Sequence, residues 1–235
     1  VPDAWANAVA GKSGISKIES FDSADLPVQI AGEVRGFDAA AAMGGVKEAR
    51  RASTFIAYAI GAAAEAMADS GLTADSMDPR RLGVSIGVGM GSLADIEHNA
   101  YRLKEKGYKG VTAFFVPQSI PNMASGYVSI AHGAQGPNIC TTTACTSGTH
   151  GIGEAYSMIK TGRADAMICG GAEAATTPLS IAGFANMRAL TKNFADEPHR
   201  ASRPFDKDRA GFVIAEGSGV MILESLEQAK ARGAR

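Results

Sequence analysis

Among the side chains able to act as nucleophile, acid or base, Cys145 stands out by its setting. It lies in the run Cys140-Thr-Thr-Thr-Ala-Cys145-Thr-Ser-Gly148. A β-branched stretch ends there in small residues and a helical pattern follows at once, so the sulfur falls at a strand-to-helix turn. At a helix start, unpaired N–H groups and aligned peptide dipoles carry partial positive charge. That favours thiolate over thiol. The same N–H groups can donate to the oxyanion of an attacked thioester. Ser147 and Gly148 keep the turn small enough for an acyl chain to approach. The chemistry that fits is covalent: a thiolate exchanges with a thioester and takes its acyl group at little thermodynamic cost. A second reading stays open on the local pattern, because cysteine is more often buried as a small hydrophobe. Cys140 and Cys169 sit inside apolar strands, and for them packing is the stronger reading.

A cysteine nucleophile ordinarily works with a histidine. His150 is near in sequence, but five residues along a helix is roughly 140° around the axis, so the two side chains diverge. His98, His132 and His199 fall in unrelated segments. The chain has a nucleophile without an evident base.

The elements that must position this turn alternate along the chain. Strands are predicted over Val28–Val34, Leu82–Val88, Pro137–Thr143 and Asp165–Cys169, each short, apolar and bounded by turn residues. Helices are predicted over Glu48–Ser70, Leu93–Lys104, Pro121–Ala131, Thr146–Lys160, Leu179–Leu190 and Leu226–Arg232, with Gly71 and Gly162 as stops. A helix also begins the chain, with Trp5, Ala8 and Val9 at helical spacing. Phe212–Ile214 and Gly219–Leu223 read as strands paired around a Glu216–Gly217 turn. The alternation implies an α/β fold, a mixed sheet flanked by helices on both faces, in one continuous domain.

Bulk composition narrows the function. The 235 residues carry a formal net charge of -1, which points away from nucleic acid or an anionic membrane as main partner. No 18-residue apolar run suggests a membrane span. The three cysteines form no disulfide framework and no CxxC or Cys/His group with metal-ligand spacing, which fits a reducing, cytoplasmic compartment. No metal or organic cofactor is expected. The N-terminus starts inside a helix and Arg235 follows one directly, as in a fragment.

Thr143-Ala144-Cys145-Thr146-Ser147-Gly148 resembles the active-site cysteine motif of the β-ketoacyl-acyl-carrier-protein synthase II family, condensing enzymes of type II fatty acid synthesis. Collinear matches support it: Phe114-Phe115-Val116-Pro117, Asn122-Met123, Gly170-Gly171-Ala172-Glu173, Ser202-Arg203-Pro204-Phe205-Asp206 and Gly211-Phe212-Val213. The resemblance implies a thiolase-like layered fold, α/β/α/β/α in the full enzyme. This chain, residues 1–235, would be its N-terminal portion, without the first strand and the C-terminal half.

The resemblance further implies that Cys145 takes an acyl group from acyl carrier protein, with its own backbone N–H as one oxyanion donor. Malonyl-carrier protein is then decarboxylated with the help of two histidines from the absent half, and the carbanion extends the chain by two carbons. Met90 and Phe115 match acyl-pocket positions, although on spacing alone ordinary core is the stronger reading. Lys47, Arg50 and Arg51 match positions that face the acidic carrier protein, which a basic patch would steer. Arg50 and Arg51 are placed by the prediction at a helix N-terminus, where the dipole disfavours cations. A homodimer is implied as well. Ala210 and Ala215 depart from the family pattern in a structural turn, and Ser180 stands where a smaller residue is common near the pocket. Alternatives are a thiolase or synthase III, a non-catalytic partner subunit (which Cys145 argues against), and an inert half-domain.

Overall fold

The computed structural model describes residues 1–73 and 76–234. In chain order its elements are α1 (Pro2–Val9), β1 (Ser16–Lys17), β2 (Ile30–Ala31), α2 (Ala39–Ala42), α3 (Val46–Ala49), α4 (Thr54–Ser70), β3 (Leu82–Gly87), α5 (Leu93–Lys106), α6 (Phe115–Ser119) and α7 (Met123–His132). They continue with β4 (Asn138–Ile139), α8 (Ser147–Lys160), β5 (Ala166–Glu173), α9 (Pro178–Asn186), β6 (Gly217–Glu224) and α10 (Leu226–Ala231). The chain divides into two compact units, Val1–Gly36 with Ala175–Glu216, and Phe37–Ala174 with Gly217–Arg235.

The larger unit is built on a four-stranded sheet in the order β4-β3-β5-β6. β3 runs parallel to β4 and β5, and β6 runs antiparallel to β5, so the sheet is mixed as expected. Every residue of β3 is buried, which is why its sequence is uniformly apolar or small rather than alternating. α8 packs on β3 and β5, while α7 packs on β3 and α4 on β5 and β6. Met167 and Cys169 meet Ala155 and Met158 of α8 in one apolar cluster. Val84, Ile86 and Ile168, fully buried, alternate to the other face. Each such side chain contributes about 1.5–3 kcal/mol by leaving water.

The smaller unit holds the β1–β2 antiparallel pair and α9. Its core gathers Val28, Ile30, Ile181, Leu190 and Ile214. α9 begins with a capping box between Thr177 and Ser180, which satisfies two amides that a helix start would leave unpaired.

Several boundaries and one strand pairing differ from the prediction. The helix expected over Glu48–Ser70 breaks into α3 and α4, because Ser53 is extended at φ -80° and ψ 161°. The strand expected over Val28–Val34 shortens to β2, and Pro137–Thr143 shortens to β4 as the chain bends toward the Cys145 turn. β5 instead runs on through Glu173. α9 stops before Leu190 as Arg188 turns left-handed at φ 58°. The expected pairing of Phe212–Ile214 with Gly219–Leu223 does not form. Phe212 bridges Leu190, and Gly219–Leu223 lies in β6 against β5.

Candidate active site

Cys145 is exposed, in contrast to half-buried Cys140 and buried Cys169. It sits one residue ahead of Thr146, the N-cap of α8. The turn that presents it is tight. Thr146 N–H donates to Thr143 O at 3.2 Å and Ser147 N–H to Ala144 O at 3.0 Å. Ala144 takes φ 54°, a left-handed conformation costing a residue with a Cβ about 1–2 kcal/mol. The buried Ser147 hydroxyl supports the bend from within. It donates to Ala144 O at 2.7 Å and accepts the Thr143 N–H at 2.9 Å. Among the described residues, no acceptor lies within hydrogen-bonding range of the Cys145 N–H.

Glycines set how deeply this turn seats on the sheet. Gly87 and Gly171 are register partners on β3 and β5, and both lie under the first turn of α8. A Cβ at Gly87 would overlap the Ser147 carbonyl, and one at Gly171 would lie 2.8 Å from Gly148 Cα. A Cβ at Gly151 would in turn lie 3.0 Å from Ser85 O. The Ser85 hydroxyl donates to Gly151 O at 2.8 Å. Backbone thus meets backbone across the helix–sheet contact, a closeness only glycine permits.

The other two thiols are less apt. Burial pushes the Cys140 thiol up and the Cys169 thiol up to about 12, so both stay protonated near neutrality.

None of the described histidines hydrogen-bonds Cys145. His150 Nε2 faces Glu154 at 3.4 Å, one turn along α8, as the helical angle requires. His98 is exposed on α5. His132 ends α7, where burial lowers its pKa. His199 belongs to the smaller unit.

Met90 is 36% exposed on the loop after β3, and Phe115 is half-buried at the start of α6. Lys47 lies on α3, Arg50 is its C-cap and Arg51 follows. The arginines therefore close the short α3 and stand two and three residues ahead of Ser53, the N-cap of α4, rather than inside a helix's first turn as the sequence reading placed them. Arg51 pairs with Glu48 at 3.2 Å and lies over the Phe114 ring at 5.3 Å, while Lys47 and Arg50 are exposed. Ser180 is buried, and its hydroxyl is engaged by Ala175 O and the α9 cap.

Sequence reasoning missed the function of Glu173. Its carboxylate accepts the backbone N–H groups of Gly89 at 2.9 Å, Met90 at 2.8 Å and Gly91 at 3.0 Å. The signal in sequence was only the Gly170-Gly171-Ala172-Glu173 match to the family, because the amides it holds lie 82 to 84 residues earlier. Among the described residues no group of three or more His, Cys, Asp or Glu could hold a metal ion. No helix among them is long and apolar enough to cross a membrane.

The chain belongs to the family of the beta-ketoacyl synthase N-terminal domain, which it matches over residues 1–229. It is 50% identical over 236 residues to 3-oxoacyl-[acyl-carrier-protein] synthase 2 of Vibrio cholerae, covering 100% of this chain and 56% of the relative. The enzyme of the same name from Coxiella burnetii is 48% identical over 235 residues, with 100% and 56% covered. The fold is thiolase-like. A beta-ketoacyl synthase from Burkholderia phymatum superposes with TM-score 0.88 at 32% identity, over 100% of this chain and 57% of that one. The ketosynthase complex described as a type II PKS acyl-carrier protein with its ketosynthase bound to the hexaketide gives 0.88 at 32%, over 100% and 56%. The chain spans about half the length of the curated relatives it matches.

Proposed function

We propose that this chain is the nucleophile-bearing N-terminal portion of a 3-oxoacyl-acyl-carrier-protein synthase of the synthase II type. The observation that carries the reading is the exposed Cys145 on its left-handed turn at the start of α8. The Cys145 thiolate attacks the thioester carbonyl of an acyl carrier protein and expels the carrier's thiolate, leaving an acyl-Cys145 thioester. The unaccepted Cys145 N–H donates to the oxyanion. Malonyl-carrier protein then loses CO₂, and its carbanion attacks the acyl group, releasing Cys145 and a β-ketoacyl chain two carbons longer. The decarboxylation histidines belong to the C-terminal half of such an enzyme. Exposed Met90 and half-buried Phe115 offer apolar surface to the acyl chain. Lys47 and Arg50 offer exposed positive charge to an acidic carrier, and the carrier in the neighbouring ketosynthase complex supports that class of partner. The reading includes a cytoplasmic homodimer.

The test is acylation. The full-length protein, incubated with acyl-carrier protein, is expected to gain one acyl mass on the peptide containing Cys145, and Cys145→Ala to gain none. Label on Cys140 or Cys169 instead would overturn the assignment. The isolated chain is expected to yield no β-ketoacyl product.

A further inference from the structure

Glu173 ends β5 and gathers three consecutive amides of a loop 84 residues earlier in sequence. Oε2 accepts from Gly89 and Met90, and Oε1 accepts from Gly91. A carboxylate suits this better than any other side chain, because both oxygens accept and neither donates.

The held loop is wedged among the parts of the active site. A Cβ at Gly89 would lie 2.9 Å from Glu173 Oε2 and 3.2 Å from the Ala144 carbonyl, so the loop backbone rests against the turn that presents Cys145. Gly91, at φ 75°, lies against Ser119 O and Pro121 Cγ, each at 3.5 Å from its Cβ position, at the link between α6 and α7. Val88 N–H donates to Thr141 O at 3.1 Å, tying the loop's near end to the segment leading to Cys145. Between these contacts the loop holds out one large apolar side chain, Met90. Moving the loop moves Met90, while the Ser147 hydroxyl still holds the Ala144 carbonyl.

We propose that Glu173 is a positioning residue that sets which acyl chains Cys145 accepts, by holding the Gly89–Gly91 loop and Met90 at a fixed place beside the nucleophile turn. The proposal deepens the acyl-transfer reading above and rests on it. Long acyl chains must pass an ordered Met90, whereas a two-carbon group or a small alkylating reagent reaches the sulfur without meeting it.

The test compares full-length protein with Glu173→Gln, which keeps the side chain's size but turns an NH₂ toward one of the amide donors. Cys145 acylation is timed by mass spectrometry with two-carbon and sixteen-carbon carrier thioesters, and alkylation with iodoacetamide. Glu173→Gln is expected to slow the sixteen-carbon reaction about tenfold, the scale of one charge-assisted hydrogen bond lost. Alkylation and two-carbon transfer are expected to stay within about threefold. Glu173→Asp, whose shorter side chain keeps the charge but draws back from the three amides, is expected to shift the same ratio. An equal loss on all three reagents would mean only a damaged fold, and no loss on any would mean the loop needs no clamp; either overturns the proposal. Should Glu173→Gln fail to fold, Glu173→Asp decides alone by the same ratio. Wild-type protein that alkylates at Cys145 but accepts no acyl thioester would instead overturn the acyl-transfer reading, and the proposal with it.

Discussion

Replacing Gly87 by alanine tests whether glycine contacts hold Cys145 in place. A Cβ there would overlap the Ser147 carbonyl and lie 2.7 Å from the Gly148 nitrogen. An unstrained contact lies near 3.5 Å, so the first turn of α8 must retreat by about 1 Å. Overpacking of this kind costs roughly 1–3 kcal/mol. A displacement of about 1 Å at a reacting group costs about 100-fold in rate. Gly153 supplies the control within the same helix, since a Cβ there meets nothing within 4 Å. Gly153→Ala should stabilise by about 1 kcal/mol through helix propensity. Urea unfolding midpoints and the rate of Cys145 acylation in the full-length protein measure both quantities. The expected pattern is opposite signs in stability and a rate loss confined to Gly87→Ala. If the two variants unfold alike and acylate alike, the helix start has room to spare and the positioning argument is wrong.

Three further outcomes are expected. At pH 8, iodoacetamide should label Cys145 well before Cys140 and Cys169, because burial raises both of the latter and Cys169 lies at about 12; peptide mapping showing equal rates would contradict this. Arg81 joins the start of β3 to Asp165 at 2.6 Å, and its hydrogen bonds hold the Asp165 carboxyl below its ordinary 3.8. A depressed carboxylate stabilises above the unfolded pKa and loses that contribution as pH falls through the folded one. Asp165→Asn should therefore cost under about 1 kcal/mol near neutrality, the pair being partly exposed and screened, and the difference should vanish in acid unfolding experiments below the folded value. Charge reversal at Lys47 and Arg50 should raise KM for carrier-bound substrates and spare small thioesters, and equal effects on both would make the patch structural.

The elements nearest Cys145 were the most legible in sequence. Apolar runs as unbroken as Leu82–Gly87 have few alternatives to a buried strand, and the small residues after Thr143 leave little but a turn before α8. The errors arose where the deciding contact is remote or depends on one residue's backbone. Nothing within Gly211–Leu223 shows that Gly219–Leu223 will take β5 as partner, since that choice is made by a strand some fifty residues earlier. The break at Ser53 depends on a single extended residue inside a helical pattern. Glu173 was legible only as part of a family motif, because its three donors lie 82 to 84 residues away.

The Cys145 turn and the Met90 loop are separate in sequence yet share one mechanical support. Gly87 seats the start of α8, and two residues later the same strand's exit meets both Ala144 and the Glu173 carboxylate. Gly171, which bears on Gly148, stands two residues before Glu173 on the neighbouring strand. A paired step on β3 and β5 therefore fixes the height of Cys145, and the next residues along both strands fix the loop beside it. Rigid strands hold such distances better than loops do, because each position is locked by ladder bonds and packing on both faces. The left-handed Ala144, unfavourable by itself, persists because the Ser147 hydroxyl, the glycine seat and the clamped loop all press on the same turn. The Cys145 sulfur is thus placed by backbone contacts of its neighbours, made at positions that leave no room for a Cβ.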